Sequence, residues 1–256
     1  MHTTRVFLSG MALAAILLLA ACATPAEKPA SAAAPAPALN QLSAEEQAQG
    51  WKLLFDGQST QGWRVYGQPG PVTGWEVKDG VLNALGVTPD GADIITEAQY
   101  QNFELSLEWK VAPGGNSGLF FHVVEDTARF PHVYDSGPEY QLVDDVGFPD
   151  KLEDWQKTAA NYAMHVAQNP PVKPAGEWNS TRLIVDGPKV QHWLNGQQVL
   201  EYELWTPEWE KLKAEGKWKD YPGYGSAKTG HIAIQDHGKQ SWFRNIKIRP
   251  LPDTQL

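Results

Sequence analysis

The chain has 256 residues, 42% of them hydrophobic, which is enough for a folded domain with a real core and excludes wholesale disorder. Its formal net charge of −9 argues against nucleic acid or an anionic membrane surface as partners, because both need clustered Lys and Arg. The single cysteine excludes an intrachain disulfide and a cysteine-rich metal site, while 11 tryptophans, 23 glycines and 19 prolines indicate a turn-rich β-protein.

The amino-terminal segment has the pattern of a targeting signal. Residues 1–21 combine a basic start with an apolar, alanine-rich run, which is typical of a secretory signal peptide. The Leu-Ala-Ala before Cys22 resembles a bacterial lipobox, so we expect Cys22 to be acylated and to anchor the protein in the membrane. Ala23, in place of Asp, favours the outer membrane. Residues 22–42, rich in Ala and Pro, predict an extended tether, and the folded domain is expected at 43–256 in the cell envelope, facing periplasm or surface.

Period-two alternation dominates from Trp51 onward and predicts about ten to twelve strands. The clearest strand is 103–111, where apolar and polar residues alternate throughout. Asp79-Gly80 and Asn195-Gly196 predict tight hairpins, because both residues of each pair accept positive φ. Further strands are predicted at 117–124, 139–143, 181–186, 231–236 and 242–249.

Two helices are predicted by their caps. Ser43 and the glutamates after it form a capping-box pattern, and Thr206 precedes a Pro207–Glu215 helix that Gly216 can end. Many short strands, few helices and no fixed repeat predict an all-β fold, a two-sheet antiparallel sandwich. The aperiodic segment 148–176 is expected to form a long loop over one sheet face.

Several predicted strands carry functional groups together on one face. Glu139 and Gln141 share one side of their strand, and His231, Gln235 and His237 share one side of another. If these strands adjoin, they form a patch of carboxylate, amide and imidazole groups, and nearby aromatic residues suit the C–H faces of sugars. A phosphate loop, HExxH and GxSxG are absent from the sequence, which disfavours phosphoryl transfer, zincin proteolysis and α/β-hydrolase chemistry.

A series of motifs in register resembles the bacterial 3-keto-disaccharide hydrolase domain family over about residues 49–251. The series opens with Trp51-Lys-Leu-Leu-Phe-Asp-Gly and Gly62-Trp63, where Thr60 replaces the usual Leu. Its later members are Gly115-Asn-Ser-Gly-Leu-Phe-Phe, Gly137-Pro-Glu-Tyr-Gln-Leu-Val-Asp, Lys173-Pro-Ala-Gly-Glu-Trp-Asn, Val190-Gln-His-Trp-Leu-Asn-Gly, Gly230-His-Ile-Ala-Ile-Gln-Asp-His-Gly and Phe243-Arg-Asn-Ile-Lys-Ile.

The resemblance implies a concanavalin A-like lectin/glucanase jelly roll and cleavage of glycosides oxidised at C3 of a glucose-type ring. It places nine side chains around a pocket. His122 stands where some members have Arg, so the expected charge arrangement differs from theirs at this position. The nine residues are Asn116, His122, Glu139, Gln141, Asp144, Arg182, His231, Gln235 and His237.

The chemistry of a 3-keto-glycoside is consistent with these residue types. The ketone acidifies the C2 hydrogen, so the C1 glycosidic oxygen can leave by β-elimination, and hydration of the enone completes a net hydrolysis. Glu139, His231 or His237 would be the base, and Arg182 or a divalent metal would stabilise the enolate. Direct displacement by two carboxylates is disfavoured, because Glu139 and Asp144 should point to opposite faces of a regular strand.

Two other functions remain open at this stage. The same sandwich hosts lectins, so the protein could be a noncatalytic carbohydrate-binding lipoprotein of the envelope. A purely structural envelope protein is the third alternative. Glu139 together with the two histidines favours an enzyme, because a lectin needs no base.

Overall fold

The computed structural model describes residues 1–3, 38–87 and 92–252. Residues 4–21 of the predicted signal peptide, Cys22 and most of the predicted tether therefore lie outside the described residues. Residues 38–87 and 92–252 belong to one folded unit. Within the described part of the chain, we find no helix with the length and apolar character needed to cross a bilayer.

Thirteen strands are found in the described residues. Their bounds are β1 (Lys52–Leu53), β2 (Trp63–Val65), β3 (Trp75–Lys78), β4 (Val81–Ala84), β5 (Ile94–Thr96), β6 (Phe103–Val111), β7 (Asn116–Val123), β8 (Glu139–Val143), β9 (Asn179–Asp186), β10 (Lys189–Leu194), β11 (Gln197–Glu203), β12 (His231–Ile234) and β13 (Ser241–Pro250).

The strands form two antiparallel sheets, which confirms the predicted all-β sandwich. The eight-stranded sheet has the order β11-β10-β9-β6-β13-β4-β3, with β1 beside β13. The five-stranded sheet has the order β2-β5-β12-β7-β8. The strand count slightly exceeds the prediction, because strands as short as β1 and β2 contain too few residues to show a period.

The hairpin predictions are confirmed by backbone geometry. Asp79 and Gly80 have φ of 52° and 75° between β3 and β4, and Asn195 and Gly196 have φ of 47° and 83° between β10 and β11. Positive φ at both turn residues gives a turn whose twist matches the paired strands. The alternating run at Phe103–Val111 forms one strand over its whole predicted length.

The two predicted α-helices are present as α1 (Ala44–Ala48) and α2 (Pro207–Glu215). The Ser43 side chain caps α1, and the Thr206 hydroxyl accepts a hydrogen bond from Trp209 N at 3.1 Å at the start of α2. Three short 3₁₀ helices lie in the connections, at Val133–Asp135, Asp154–Gln156 and Lys217–Asp220.

The core lies between the two sheets. Leu105 and Leu183 of the eight-stranded sheet meet Leu119 and Ile232 of the five-stranded sheet in one cluster of buried residues. Because side chains alternate along a strand, the residues between these point to the outer faces. On the five-stranded sheet that outer face is partly apolar, and Ile95, Phe120 and Ala233 form a second buried cluster there with Tyr66, Val123 and Val133.

The long segment 148–176 pairs with the edge of the five-stranded sheet. Ala159 N donates to Gln141 O at 2.9 Å, and Tyr162 N donates to Glu139 O at 3.2 Å. The sequence predicts a loop folded over one sheet face, whereas its central part continues the sheet beside β8. This pairing places the Tyr162 side chain next to the polar groups of β8.

Candidate functional site

A cavity of about 200 Å³ opens on the outer face of the five-stranded sheet. Five of the nine residues expected around a pocket line it. These five are Asn116, Glu139, Gln141, Gln235 and His237. Four residues from the connecting segments complete the wall, namely Tyr134, Tyr162, Lys217 and Trp218.

Strand register explains why the predicted residues meet. Gln141 is the cross-strand partner of Gly118, and Gln235 N donates to Gly118 O at 3.0 Å, so these three residues form one row across β8, β7 and the end of β12. Glu139 lies in the next row, opposite Phe120. The polar faces of neighbouring strands therefore adjoin, as the alternation predicts.

Gly118 leaves the space that the Glu139 carboxylate occupies. A β-carbon at Gly118 would lie far inside contact distance of Glu139 Oε1 and against Glu139 Cδ. The carboxylate thus lies over the glycine, toward the row that carries Gln141 and Gln235. Any larger residue at 118 would displace it.

Glu139 is the most perturbed carboxyl of the cavity. Its residue is only 6% exposed. Burial raises the pKa of Glu139 to about 8, the positive charge of Lys217 opposes that rise, and the negative charge of Asp93 adds to it. Glu139 takes part in none of the eight ion pairs found among the described residues. A carboxyl with a pKa near neutral is suited to accept or donate a proton.

Asp93 is a second perturbed carboxyl near Glu139. Burial raises the pKa of Asp93 to about 7, against the effect of a hydrogen bond that its Oδ1 accepts from Asp236 N at 3.0 Å. Asp93 does not line the cavity. Its sequence context, Gly-Ala-Asp before a short strand, gives no sign of this position, and sequence reasoning missed it.

Lys217 supplies the cationic group of the cavity. Its Nζ lies 4.3 Å from the ring centroid of Tyr162 and 4.6 Å from that of Trp218. Burial of the ammonium lowers the pKa of Lys217, and Glu139 opposes that shift. Sequence reasoning missed Lys217, because it lies in a 3₁₀ helix after α2 where no strand alternation assigns it to a face.

A stack of aromatic rings holds the wall of the cavity. Trp218 Nε1 donates to Tyr162 O at 3.0 Å, and the Trp218 ring lies 4.1 Å from Tyr224 with planes 9° apart. The stack continues through Trp209 and Tyr202, each 5.8–5.9 Å from the ring before it. The cavity wall is therefore anchored in the folded core, which preorganises it for a flat ligand face.

His231 lies outside the cavity, although alternation assigns it to the same face as His237. Its Nδ1 donates to Thr96 O at 2.6 Å, and its Nε2 accepts from Gln99 Nε2 at 3.1 Å. It pairs with Val123, one row beyond the Ala233–Phe120 pair, and the register shifts between these rows. Both ring nitrogens form hydrogen bonds within the fold, and His231 does not line the cavity. The expectation that His231 lies at the pocket is therefore corrected.

His122 is a core histidine. It is 1% exposed, its φ is 53°, and its ring packs edge-on against Phe121 with centroids 5.2 Å apart. Its Nε2 donates to Gln101 O at 2.8 Å, and burial lowers the pKa of His122. The left-handed residue interrupts the alternation of β7, so the side chain does not reach the cavity.

Arg182 and Asp144 also lie elsewhere. Arg182 is in the eight-stranded sheet, where it forms an ion pair with Glu104 and lies over the Trp193 ring at 5.3 Å. Asp144 accepts hydrogen bonds from Gly114 N at 2.7 Å and Gly147 N at 2.9 Å, which hold the turn after β8. The expectation that these two residues surround the pocket is therefore corrected.

The cavity offers one carboxylate, Glu139, and one imidazole, His237, as side chains that could ligate a metal ion. No cluster of three or more His, Cys, Asp or Glu side chains suited to a metal ion occurs in residues 1–3, 38–87 and 92–252. Catalytic metal sites usually need about three protein ligands. The residues present do not fit the divalent metal considered from the sequence, and we assign no step to one.

Comparison with known proteins gives one family match over most of the chain. A profile of the 3-keto-alpha-glucoside-1,2-lyase-like domain matches residues 50–249. The chain is 38% identical to a 3-keto-disaccharide hydrolase of Bacteroides thetaiotaomicron, in an alignment that covers 63% of this chain. The chain thus spans about 63% of the length of that curated relative.

Two solved structures from Parabacteroides distasonis, both described as proposed glycosyl hydrolases, share the fold. The first is 40% identical with a TM-score of 0.80, covering 84% of this chain and 100% of the other. The second is 31% identical with a TM-score of 0.62, covering 78% of this chain and 99% of the other. From the profile match over 50–249, the chain belongs to the family of 3-keto-α-glucoside-1,2-lyase-like domains.

Proposed function

We propose that this protein cleaves glycosidic bonds of 3-keto-glycosides, by β-elimination followed by hydration. The observation that carries the proposal is the buried carboxylate of Glu139, which lies over Gly118 in the cavity and forms no ion pair with any residue that the structure describes. The family match and the name of the Bacteroides thetaiotaomicron relative support the substrate class.

The cavity has the size and chemistry for one sugar ring. Its volume of about 200 Å³ is on the scale of a single six-membered ring with its hydroxyls. The amides of Asn116, Gln141 and Gln235 offer donors and acceptors to hydroxyls, and the half-buried Tyr162 ring offers an apolar surface to ring C–H groups. The buried Asn116 Oδ1 accepts no hydrogen bond within the described residues, so a hydroxyl of the substrate would satisfy it.

The first step is removal of the C2 proton by the Glu139 carboxylate. The electrons of the C2–H bond form the C2=C3 bond of an enolate, with the negative charge on the former ketone oxygen. The Lys217 ammonium offsets this charge, and a neighbouring positive group in a partly desolvated site stabilises an oxyanion strongly. This step leaves Glu139 protonated.

The second step is expulsion of the oxygen on C1. The enolate returns its electrons to form C1=C2, the C1–O bond breaks, and the leaving oxygen takes a proton from protonated Glu139 or from His237. Water then adds to the enone, with its oxygen at C1 and a proton at C2. The products are a 3-keto-sugar and the released second sugar.

Displacement by two carboxylates is less consistent with the cavity. Glycosidases of that type place two carboxyl groups about 5–10 Å apart on either side of the bond. Glu139 is the single carboxylate among the cavity-lining residues, and Asp144 is held in a turn. A single carboxyl beside an ammonium suits proton abstraction next to a ketone.

Deuterium incorporation distinguishes the two mechanisms. We expect full-length protein incubated with 3-keto-trehalose in D₂O to release glucose and 3-keto-glucose that carries deuterium at C2, measured by mass spectrometry and NMR. Free 3-keto-glucose in the same buffer controls for spontaneous exchange. Release without C2 label would overturn the elimination, and binding without release across 3-keto-glucosides would favour the noncatalytic lectin.

The proposal includes a place in the cell envelope. Acylation of Cys22 would hold the domain at the outer membrane through the Ala/Pro-rich tether, close to sugars that enter the periplasm. Labelling cells with a palmitate analogue should tag the wild-type protein and should not tag the Cys22→Ser variant. Equal labelling of both chains would reject the lipid anchor.

A further inference from the structure

A second cleft, of about 330 Å³, lies on the outer face of the eight-stranded sheet, on the other sheet from the Glu139 cavity. Two half-buried indoles, a buried amide and several charged groups line it. Its lining includes Glu76, Asn83, Lys110, Trp178, Gln240 and Trp242. The proposed cleavage reaction uses none of them.

The cleft is built by one row of cross-strand neighbours. Glu76 is the partner of Asn83, Asn83 is the partner of Trp242, and Trp242 is the partner of Lys110. The row crosses β3, β4, β13 and β6, and neighbours in such a row point to the same face. The side chains are thus fixed by the sheet itself.

The two indoles flank a lysine that forms no ion pair with a described carboxylate. Lys110 Nζ lies 4.8 Å from the Trp242 ring centroid and 5.1 Å from that of Trp178. Lys110 takes part in none of the ion pairs among the described residues. Its ammonium therefore retains hydrogen-bond donors beside two partly exposed aromatic rings.

The buried amide of Asn83 is only half satisfied. Asn83 is 6% exposed, and its Nδ2 donates to Glu76 Oε1 at 3.2 Å. Its Oδ1 is buried and has no hydrogen-bond partner among the described residues. A buried acceptor without a donor costs about 1–3 kcal/mol, which a ligand hydroxyl would recover.

We propose that this cleft binds a neutral pyranose unit of a glycan, as a second carbohydrate site separate from the Glu139 cavity. The charges of Glu76 and Asp79 cancel those of Lys78 and Lys110, which disfavours an anionic ligand. Amide, ammonium and carboxylate groups line the cleft beside two half-buried indoles, a combination that suits a polyol with apolar C–H faces. Such a site would hold one end of a glycan on the surface of the protein without taking part in the reaction.

Fluorine NMR of 5-fluorotryptophan-labelled full-length protein can observe both sites at once. Trp242 and Trp178 report on the cleft and Trp218 on the cavity, while Trp193, on the same outer face but outside the cleft, serves as the control. Resonances are assigned by single Trp→Phe substitutions. With trehalose and maltohexaose as probes, we expect saturable shifts of Trp242 and Trp178 and none of Trp193.

Two variants make the assignment specific to the cleft. Asn83→Leu keeps the side-chain size but removes the buried acceptor, and it should weaken binding about five- to tenfold, read from the Trp242 shift. Circular dichroism checks that each variant is folded. Trp178→Ala changes a residue outside the strands and should weaken binding to a similar extent, so it replaces Asn83→Leu if that variant does not fold. Unshifted Trp242 and Trp178 with both probes, or unchanged affinity in a folded variant, would overturn the proposal.

Discussion

Two buried glutamates on opposite sheets show how differently this fold treats a carboxylate. Glu104 of β6 is 4% exposed and has ion pairs with both Arg182 and Arg249. Glu139 of β8 is 6% exposed and has no ion pair among the described residues. Both point to an outer sheet face. Burial alone therefore does not distinguish the proposed base from Glu104, whereas burial without a fixed counter-ion does.

The difference follows from what covers each glutamate. Arginines of neighbouring strands β9 and β13 cover Glu104, so its charge is neutralised at short range. Aromatic residues of connecting segments cover Glu139, and the nearby cation, Lys217, stacks on Tyr162 and Trp218. An unpaired buried carboxylate destabilises the fold, which is a usual feature of a catalytic group.

The largest expected effect separates these two glutamates in catalysis. Glu139→Gln removes the proposed base and should lower kcat/KM on 3-keto-trehalose by about 10²–10⁴. Glu104→Gln, the matched variant on the other sheet, should leave kcat/KM within about twofold, because Glu104 does not line the Glu139 cavity. Initial rates of glucose release measure both. Equal losses of kcat/KM in the two variants would mean that the effect comes from folding, and the proposed difference between the two glutamates would be wrong.

Removal of the Lys217 charge should have the next largest effect. Lys217→Met should lower kcat about 10- to 100-fold, since the enolate loses its positive neighbour. Because the Lys217 charge opposes the rise in the pKa of Glu139, its loss should also move the rising limb of the kcat/KM–pH profile, centred near pH 8, to higher pH.

Lys219→Met is the control for that experiment. Lys219 lies in the same 3₁₀ helix but does not line the cavity, so its removal should leave both rate and profile unchanged. A Lys217→Met profile with an unmoved midpoint would show that the ammonium does not act on the base.

The third prediction concerns stability. The pKa of Glu139 is raised from 4.5 in the unfolded chain to about 8 in the folded one, so the folded state binds the extra proton between these values. The contribution of Glu139 to the free energy of unfolding is therefore greatest below pH 4.5, falls as the pH rises, and is lowest above about pH 8. Glu139→Gln should remove this slope and raise the free energy of unfolding at pH 8 by about 1–2 kcal/mol.

Urea unfolding of wild type and Glu139→Gln at several pH values between 5 and 8 measures that slope. Glu104→Gln again provides the contrast, because it weakens two ion pairs and should lower the free energy of unfolding by about 1–3 kcal/mol. If the free energy of unfolding changed with pH equally in wild type and in Glu139→Gln, the Glu139 carboxylate would be more solvated than its burial in the structure indicates.

Strand alternation predicted half of the site and could not predict the rest. It placed Glu139 beside Gln141, because a regular strand fixes which side chains share a face. It failed for His231, where the register shifts at a bulge. The resemblance, not alternation, placed His122 at the pocket, and a left-handed residue in β7 leaves that side chain in the core. Lys217 lies in a connection whose position depends on packing across the whole fold, which no local pattern in the sequence contains.

Arg182 gives the smallest expected effect and the strictest test of the contrast between the sheets. Alternation assigns Arg182 to an outer face, but it does not specify which sheet, and the resemblance placed it at the pocket. In the structure its guanidinium neutralises Glu104 and stacks on Trp193. Arg182→Met should therefore change kcat/KM by less than about twofold while lowering the free energy of unfolding by about 1 kcal/mol, because its side chain is 42% exposed. If Arg182→Met instead abolished turnover in a folded protein, the enolate would be stabilised from the other sheet, and Lys217 would lose its assigned part.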